Sequence, residues 1–429
     1  MKSKFKVLLC ITTFFISIVW GKVTVSSELP LNQYLNINNS KLSAIANSGE
    51  NFLSSQHINS NNLGFNQMEN FEQPMQNKQN ADNTDKLPHD FPLGWYDSVD
   101  NLQTPAKIAQ EGMNIVIPYT GENNIQEVKA YLDQAAAAGL KVIVEIPREY
   151  VRLASTQRVL RFVKQFKNHP ATYGWYLYDE PEFVEFSPKI LEKLYQKIKT
   201  EDAQHPIAIA FTKLNLIQPY LQFADIVLFS NYPCNVNEPE FYGFQNNQFA
   251  VIANNAGSLA KNKSSFWFIL QSYGATQQSK KTPDNKRLPT TAEQRYMLYS
   301  AVLAKANGLF FWTHYRSQQK WIDAVLTPLI QEFKTYIPTI KTQPLTRKLL
   351  INTPQIQGTL YRNPTTNNLL LIAINHGNNE TQATISVLQK TGASSATVLT
   401  ENRKVNFNRG KIKDTFAPYA VHIYQIEPA

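Results

Sequence analysis

From residue 91 to residue 313 eight short, nearly unbroken apolar runs follow one another, at 93–96, 114–119, 141–147, 172–178, 206–212, 225–230, 266–271 and 308–313. Stretches with helical apolar spacing lie between them, among them 124–138, 157–166, 188–199 and 292–306. Short apolar runs without polar alternation read as strands buried on both faces. Eight of these alternating with helices predict a (β/α)8 barrel over residues 89–341. An open doubly wound sheet is the alternative, and it is disfavoured because no glycine-rich phosphate turn follows the first run. Gly112, Gly139 and Gly308 stand at helix-to-strand joins, where a C-cap glycine is expected. After residue 340 the pattern changes. Runs at 349–352, 357–362, 368–375, 381–387, 396–399 and 421–426 are β-prone and are separated by turn clusters such as NPTTNN and HGNN. They predict a small antiparallel β-sandwich over 342–429. A chain of 429 residues, 43% hydrophobic, has the length and the apolar content for both parts.

The first 90 residues are of a different kind. Lys2, Lys4 and Lys6 precede an apolar stretch, 7–20, that is short for a bilayer span. Residues 1–27 are therefore expected to be a signal peptide, cleaved after Gly21 or near Ser26 and Ser27, with an uncleaved anchor as the alternative. No cysteine follows the apolar stretch, which argues against a lipoprotein anchor. Residues 28–88 are rich in Asn, Gln and Ser without periodicity, the signature of a disordered linker. The expected location is secreted, periplasmic or in the cell envelope. Of two cysteines, Cys10 lies in the leader, so Cys234 alone cannot build a disulfide framework or a thiolate metal site. The net charge of +9 comes from scattered Lys and Arg. That reads as a solvated surface and not as a nucleic-acid footprint. No protein partner is expected, and the chain reads as a monomer.

The chemistry gathers at residues 173–182, YGWYLYDEPE. An apolar strand ends there in Asp179 and Glu180, and Pro181 forces the chain out of the sheet. Consecutive residues of a strand point to opposite faces, so both acids reach one site only if the chain turns at Pro181. In a barrel, strand ends converge on one mouth. The other ends bring Tyr96 and Asp97, Tyr119, Glu145 with Arg148 just beyond, Tyr178, Tyr232, Gln271 and Tyr273, and Trp312 with His314. A single aromatic at such a place is more often core. Aromatics on strand after strand beside carboxylates suit a sugar, whose rings stack on aromatic faces. Seven histidines include no pair at metal-ligand spacing, and no Gly-x-Ser-x-Gly elbow is present. His314 is either a sugar or Glu180 partner or a packed strand-end residue. The basic loop QQSKKTPDNKR, 277–287, either attracts anionic sugars or is simply solvated.

YGWYLYDEPE resembles the fourth-strand motif of clan A glycoside hydrolases, in which Asn-Glu-Pro carries the acid/base glutamate. Glu180 matches that glutamate, and Asp179 stands where the family has Asn. RLPTTAEQRYMLYSAVLAKANGLFFWTHY is similar to the loop, helix and Trp-ended eighth strand of such enzymes. DTFAPYAVHIYQI is similar to the closing strands of the β-sandwich that follows many of these barrels. The resemblance implies a glycoside hydrolase acting on a carbohydrate without metal or organic cofactor, with Glu180 as general acid/base and Asp179 tuning it. It implies a sugar subsite shaped by Tyr96, Tyr232, Gln271 and Trp312. The seventh strand departs from the family: in SSFWFILQSYG, Gln271 falls where the nucleophilic glutamate is expected, and an amide cannot form a glycosyl ester. Three readings stay open. Hydrolysis is inverting, with Glu145 or Asp97 as base, unless Glu145 is merely the partner of Arg148. Or the substrate's acetamido group is the nucleophile, oriented by Asp179, as in chitinase-like and hexosaminidase-like barrels. Or the protein is a non-catalytic carbohydrate binder or a structural protein of the envelope.

Overall fold

The computed structural model describes residues 91–121, 125–263, 265–274 and 285–428. The expected signal peptide and linker lie outside them, as does most of the basic loop. Eight parallel strands close into a barrel in chain order. They are β1 (Leu93–Ser98), β2 (Ile115–Tyr119), β3 (Lys141–Glu145), β4 (Thr172–Asp179), β5 (Ile207–Phe211), β6 (Ile226–Asn231), β7 (Ser265–Gln271) and β8 (Gly308–Trp312). β8 pairs back onto β1, which excludes the open sheet. The helices around them are α1 (Thr104–Gln110), α2 (Ile125–Ala137), α3 (Arg148–Arg152), α4 (Thr156–Phe166), α5 (Pro188–Glu201), α6 (Gln248–Leu259), α7 (Thr291–Leu303), α8 (Gln319–Trp321) and α9 (Thr327–Ile340). Among the described residues no helix is long and apolar enough to cross a membrane.

Alternation along the strands sorts the side chains. Ile117, Ile143, Leu228, Trp267 and Phe310 fill the barrel axis, while their neighbours meet the helices. Gly308 is explained by that axis. It is the first residue of β8, and a Cβ there would lie 2.5 Å from the Trp267 indole. It is therefore not the C-cap expected from its position; the left-handed residue of that join is Lys305, with φ 67°. Gly112 and Gly139, at φ 92° and 74°, do take the left-handed conformation.

The second part is one antiparallel sheet of eight strands: β9 (Leu349–Ile351), β10 (Ile356–Arg362), β11 (Leu369–Asn375), β12 (Thr381–Val387), β13 (Ser395–Val398), β14 (Arg403–Asn408), β15 (Lys411–Phe416) and β16 (Val421–Ile426). Their order is β10-β11-β16-β13-β14-β15-β12-β9. The sheet folds over on itself as a sandwich, so that β9 faces β10. A Cβ on Gly358 would meet Ile351 at 3.2 Å and Leu349 at 3.4 Å. Every residue of β11 is buried. Leu369, Leu371 and Ala373 belong to the sandwich core, and Leu370, Ile372 and Ile374 to the core of the barrel. This is why LLLIAI reads as one unbroken apolar run. α7 lies between the two parts, which buries it along most of its length. Its Tyr296 hydroxyl lies 2.7 Å from Nδ1 of His376, and Phe241 stacks on Tyr419 at 4.5 Å.

The β14–β15 hairpin was not among the expected strands. Its two-residue turn, Arg409-Gly410, needs positive φ at both positions, 50° and 77°. Arginine is a poor turn signal there, and asparagine is the residue that tolerates it. Arg409→Asn is expected to stabilise the protein by roughly 0.5–1 kcal/mol. A thermal melt beside the wild type checks this; an unchanged or lower midpoint would show that the turn carries no such strain.

Candidate active site

β4 is irregular where the acids begin. Against β5, Tyr176 pairs with Ala208 and Tyr178 with Ile209, so Leu177 is an extra, bulged residue. The bulge resets the alternation. Tyr176 faces the barrel axis, Leu177 and Tyr178 both face the helices, and Asp179 faces the axis again. Tyr178 stacks on Phe186 at 4.5 Å and takes no part in the mouth, contrary to its expected place. The chain then turns at Glu180, whose φ is 52°, one residue earlier than expected. A left-handed residue with a side chain costs about 1–2 kcal/mol, and the following proline makes the turn still less favourable. Tertiary bonds hold it. The Glu180 N–H donates to the Ala210 carbonyl at 3.0 Å. The Glu182 carboxylate accepts from the N–H groups of Thr212 at 2.6 Å and Lys213 at 3.0 Å, tying the turn to the end of β5. As a result two consecutive carboxyl groups open into one cavity.

That cavity lies on the barrel axis at the carboxyl ends of the strands. It encloses about 70 Å³ and about 300 Å³ with its open mouth. It is lined by Ala210, Ser230 and Ile269, by the aromatic residues Tyr96, Tyr119, Tyr232 and Trp312, and by the acids Asp179 and Glu180. Trp312 stacks on Tyr232 at 5.7 Å and meets the edge of Tyr273 at 4.5 Å.

Asp179 is held from three sides. Tyr176 donates to Oδ1 at 2.7 Å, and Tyr119 and Arg148 donate to Oδ2 at 3.2 and 2.8 Å. Each phenol is itself positioned: the Trp312 indole N–H donates to Tyr119 at 2.9 Å, and Tyr96 donates to Tyr176 at 3.2 Å. Burial, with the nearby Asp179 charge, pushes the hydroxyls of Tyr96, Tyr119 and Tyr176 well above their usual range, so they stay donors. Glu180 has a different environment. Ser230 is its hydroxyl partner, at 3.5 Å. Burial, then the charges of Asp179 and Glu182, push its carboxyl up to about 7. Neighbouring acids thus differ in kind: one braced by donors, the other poised to give or take a proton near neutrality.

Several candidates lie elsewhere. Asp97 points outward from β1 and accepts from Tyr131 at 2.7 Å and Asn101 at 3.2 Å. Glu145 is buried beneath the rim, where it accepts from the backbone and hydroxyl of Thr120 and from Arg148 at 3.0 Å. It is the partner of Arg148, and through it braces Asp179. Burial pushes the carboxyls of Asp97 and Glu145 up. His314 lies against Glu111, 3.2 Å away, and meets Trp95 edge-on, outside the cavity. Tyr273 stands behind Trp312. Gln271 is fully buried. Its amide nitrogen donates to the carbonyls of Cys234 and Arg287, both at 2.9 Å, and its oxygen accepts from the Cys234 N–H at 2.8 Å. It stitches the β6 and β7 loops together and does not line the cavity; from β7 that is done by Ile269. Ser230, Ala210, Ile269 and the anchoring Glu182 were not anticipated. Only Ser230, closing an apolar run, left a signal in the sequence. Among the described residues no cluster of three or more His, Cys, Asp or Glu could hold a metal ion.

No family model and no curated protein sequence matches the chain. Solved structures do. A family 27 β-L-arabinopyranosidase from Geobacillus stearothermophilus aligns with TM-score 0.54 at 11% identity, over 80% of this chain and 97% of that one. An α-amylase from Geobacillus thermoleovorans aligns with TM-score 0.51 at 8% identity, over 78% and 98%. A glycoside hydrolase family 5 protein from Bacteroides vulgatus aligns with TM-score 0.50 at 11% identity, over 79% and 89%. The chain has the fold of these structures. Those three proteins share with it the barrel and the sheet that follows, at identities that carry the fold alone.

Proposed function

We propose that this protein is a secreted or periplasmic glycoside hydrolase that cleaves O-glycosidic bonds, with Glu180 as the general acid/base. The observation that carries this is the Asp179–Glu180 pair turned into one aromatic-walled cavity, with the Glu180 carboxyl near pKa 7. In the protonated form Glu180 gives its proton to the leaving oxygen. Asp179, backed by Arg148 and two phenols, faces the positive charge that develops on the sugar ring. Tyr232 and Trp312 line the space the ring would take.

Among the described residues that line the cavity, no carboxylate other than this pair is present. That favours the reading in which a 2-acetamido group of the substrate is the nucleophile and Asp179 orients it. A screen of aryl glycosides and polysaccharides tests both levels. Hydrolysis confined to 2-acetamido sugars, with the anomeric configuration retained, supports substrate assistance. An inverted product points to a water nucleophile instead. Turnover of no glycan would leave a carbohydrate-binding role.

The two acids are electrostatically linked, and this gives a pH prediction. The negative charge of Asp179 disfavours ionisation of Glu180. Asp179→Asn removes it, so the Glu180 pKa falls and less of the acid is protonated at neutral pH. The alkaline limb of the pH–rate profile is expected to move to lower pH, alongside a loss of rate. A limb that stays in place would dissociate Glu180 from it.

A further inference from the structure

Beside the catalytic cavity runs a larger groove of about 410 Å³, formed by the segment between β6 and α6. Tyr232 lines both spaces, so the groove adjoins the cavity at that residue. Its lining is polar, with the amides of Asn231, Asn246 and Gln248, the carboxylate of Glu238 and the ring of Tyr242, and it includes no Lys or Arg among the described residues. Tyr242 is 48% exposed although its neighbours in the segment are tied down. The Phe241 N–H donates to the buried Glu293 at 2.8 Å, Phe244 is fully buried, and a Cβ on Gly243 would collide with the Pro233 carbonyl at 2.1 Å. Phe241, Asn246 and Asn247 all hold positive φ. A backbone fixed at such cost holds an exposed aromatic side chain in a groove lined by amides. This is the lining that hydroxyl-rich chains use, with stacking on one face and amide hydrogen bonds to the rim.

We propose that this groove binds the successive units of a neutral oligo- or polysaccharide whose scissile bond lies in the cavity, making the enzyme one that recognises chains. The proposal rests on the glycoside hydrolase reading for its orientation but not for its test. The Glu238 carboxylate lines the groove, while the nearby Lys286 is engaged by the Tyr232 carbonyl at 2.6 Å and by Asn235 Oδ1 at 2.7 Å, which favours neutral chains over uronate and sulfated ones.

Calorimetric titration of the Glu180→Gln protein with neutral xylo-, cello- and chito-oligosaccharides, from monosaccharide to hexasaccharide, tests it. In one of these series affinity is expected to rise at least about tenfold with chain length, and Tyr242→Ala on the same background to remove that rise. An unchanged melting midpoint in the Tyr242 variant checks that it is folded. Affinity independent of length, a rise that survives Tyr242→Ala, tighter binding of oligogalacturonates, or no binding in any series would each overturn it. Wild-type protein that binds long chains in this way but hydrolyses none would leave the groove standing and remove the hydrolase reading.

Discussion

Glu180→Gln is expected to lower kcat/KM on any hydrolysed glycoside by at least about a hundredfold, since a positioned general acid supplies roughly 10²–10⁴-fold. The amide keeps the size and the Ser230 contact but has no proton of suitable acidity to give. The loss should be greatest for poor leaving groups and smallest for activated aryl glycosides, which depart without protonation. The wild-type profile carries the complementary signature. With its pKa raised to about 7, Glu180 is protonated below that pH and ionised above it. An acid must be protonated to act, so activity should fall as pH rises through about 7, and this limb should vanish in the variant. Equal activity of the two proteins, or an alkaline limb retained in the variant, would remove Glu180 from the chemistry.

Gln271→Glu is expected to unfold the protein partway and to restore no nucleophile. The amide nitrogen now donates to the Cys234 and Arg287 carbonyls, with that of Tyr273 at 3.4 Å, and a carboxylate would face all three without a proton. A buried charge left opposite acceptors costs about 3 kcal/mol or more. The variant can escape by keeping its carboxyl protonated, which raises its folded pKa above the unfolded value near 4.3. At pH below about 4 both states are protonated and only the loss of one of the amide's two donated bonds remains, while the ionisation penalty grows as pH rises toward the folded pKa. Denaturant titration at acid and neutral pH should therefore show a small deficit against wild type at low pH and a much larger one at pH 7. A variant as stable as wild type at pH 7, and faster, would mean that position 271 reaches the substrate.

The barrel was legible because its strands are buried on both sides, so their apolar runs coincide with the observed strands to within a few residues. The same holds for β11. Alternation failed where geometry departs from it. Nothing in YGWYLYDE marks Leu177 as an extra residue, since bulges need no glycine or proline, so Tyr178 was placed in the mouth and turns away from it. The turn was assigned to Pro181 because prolines are visible, whereas a strained glutamate is not. Asp97 and His314 sit at strand ends but on the outward side. Glu145 and Gln271 follow the inward phase yet are consumed by Arg148 and by loop backbones. Polar atoms at the rim of a barrel have two clients, the substrate and the loops, and the sequence does not say which is served. Ala210, Ser230 and Ile269 come from three different strands, and only folding brings them to one cavity.

β11 is shared property. Its one face completes the sandwich and its other face completes the barrel, so neither half has a finished wall of its own. Detaching the sheet would strip an apolar surface from around α7, and detaching the barrel would expose half of β11. The chain past residue 341 is thus no portable cassette that recombination could move to another catalytic partner. It has to be inherited, and lost, together with the barrel that holds Glu180.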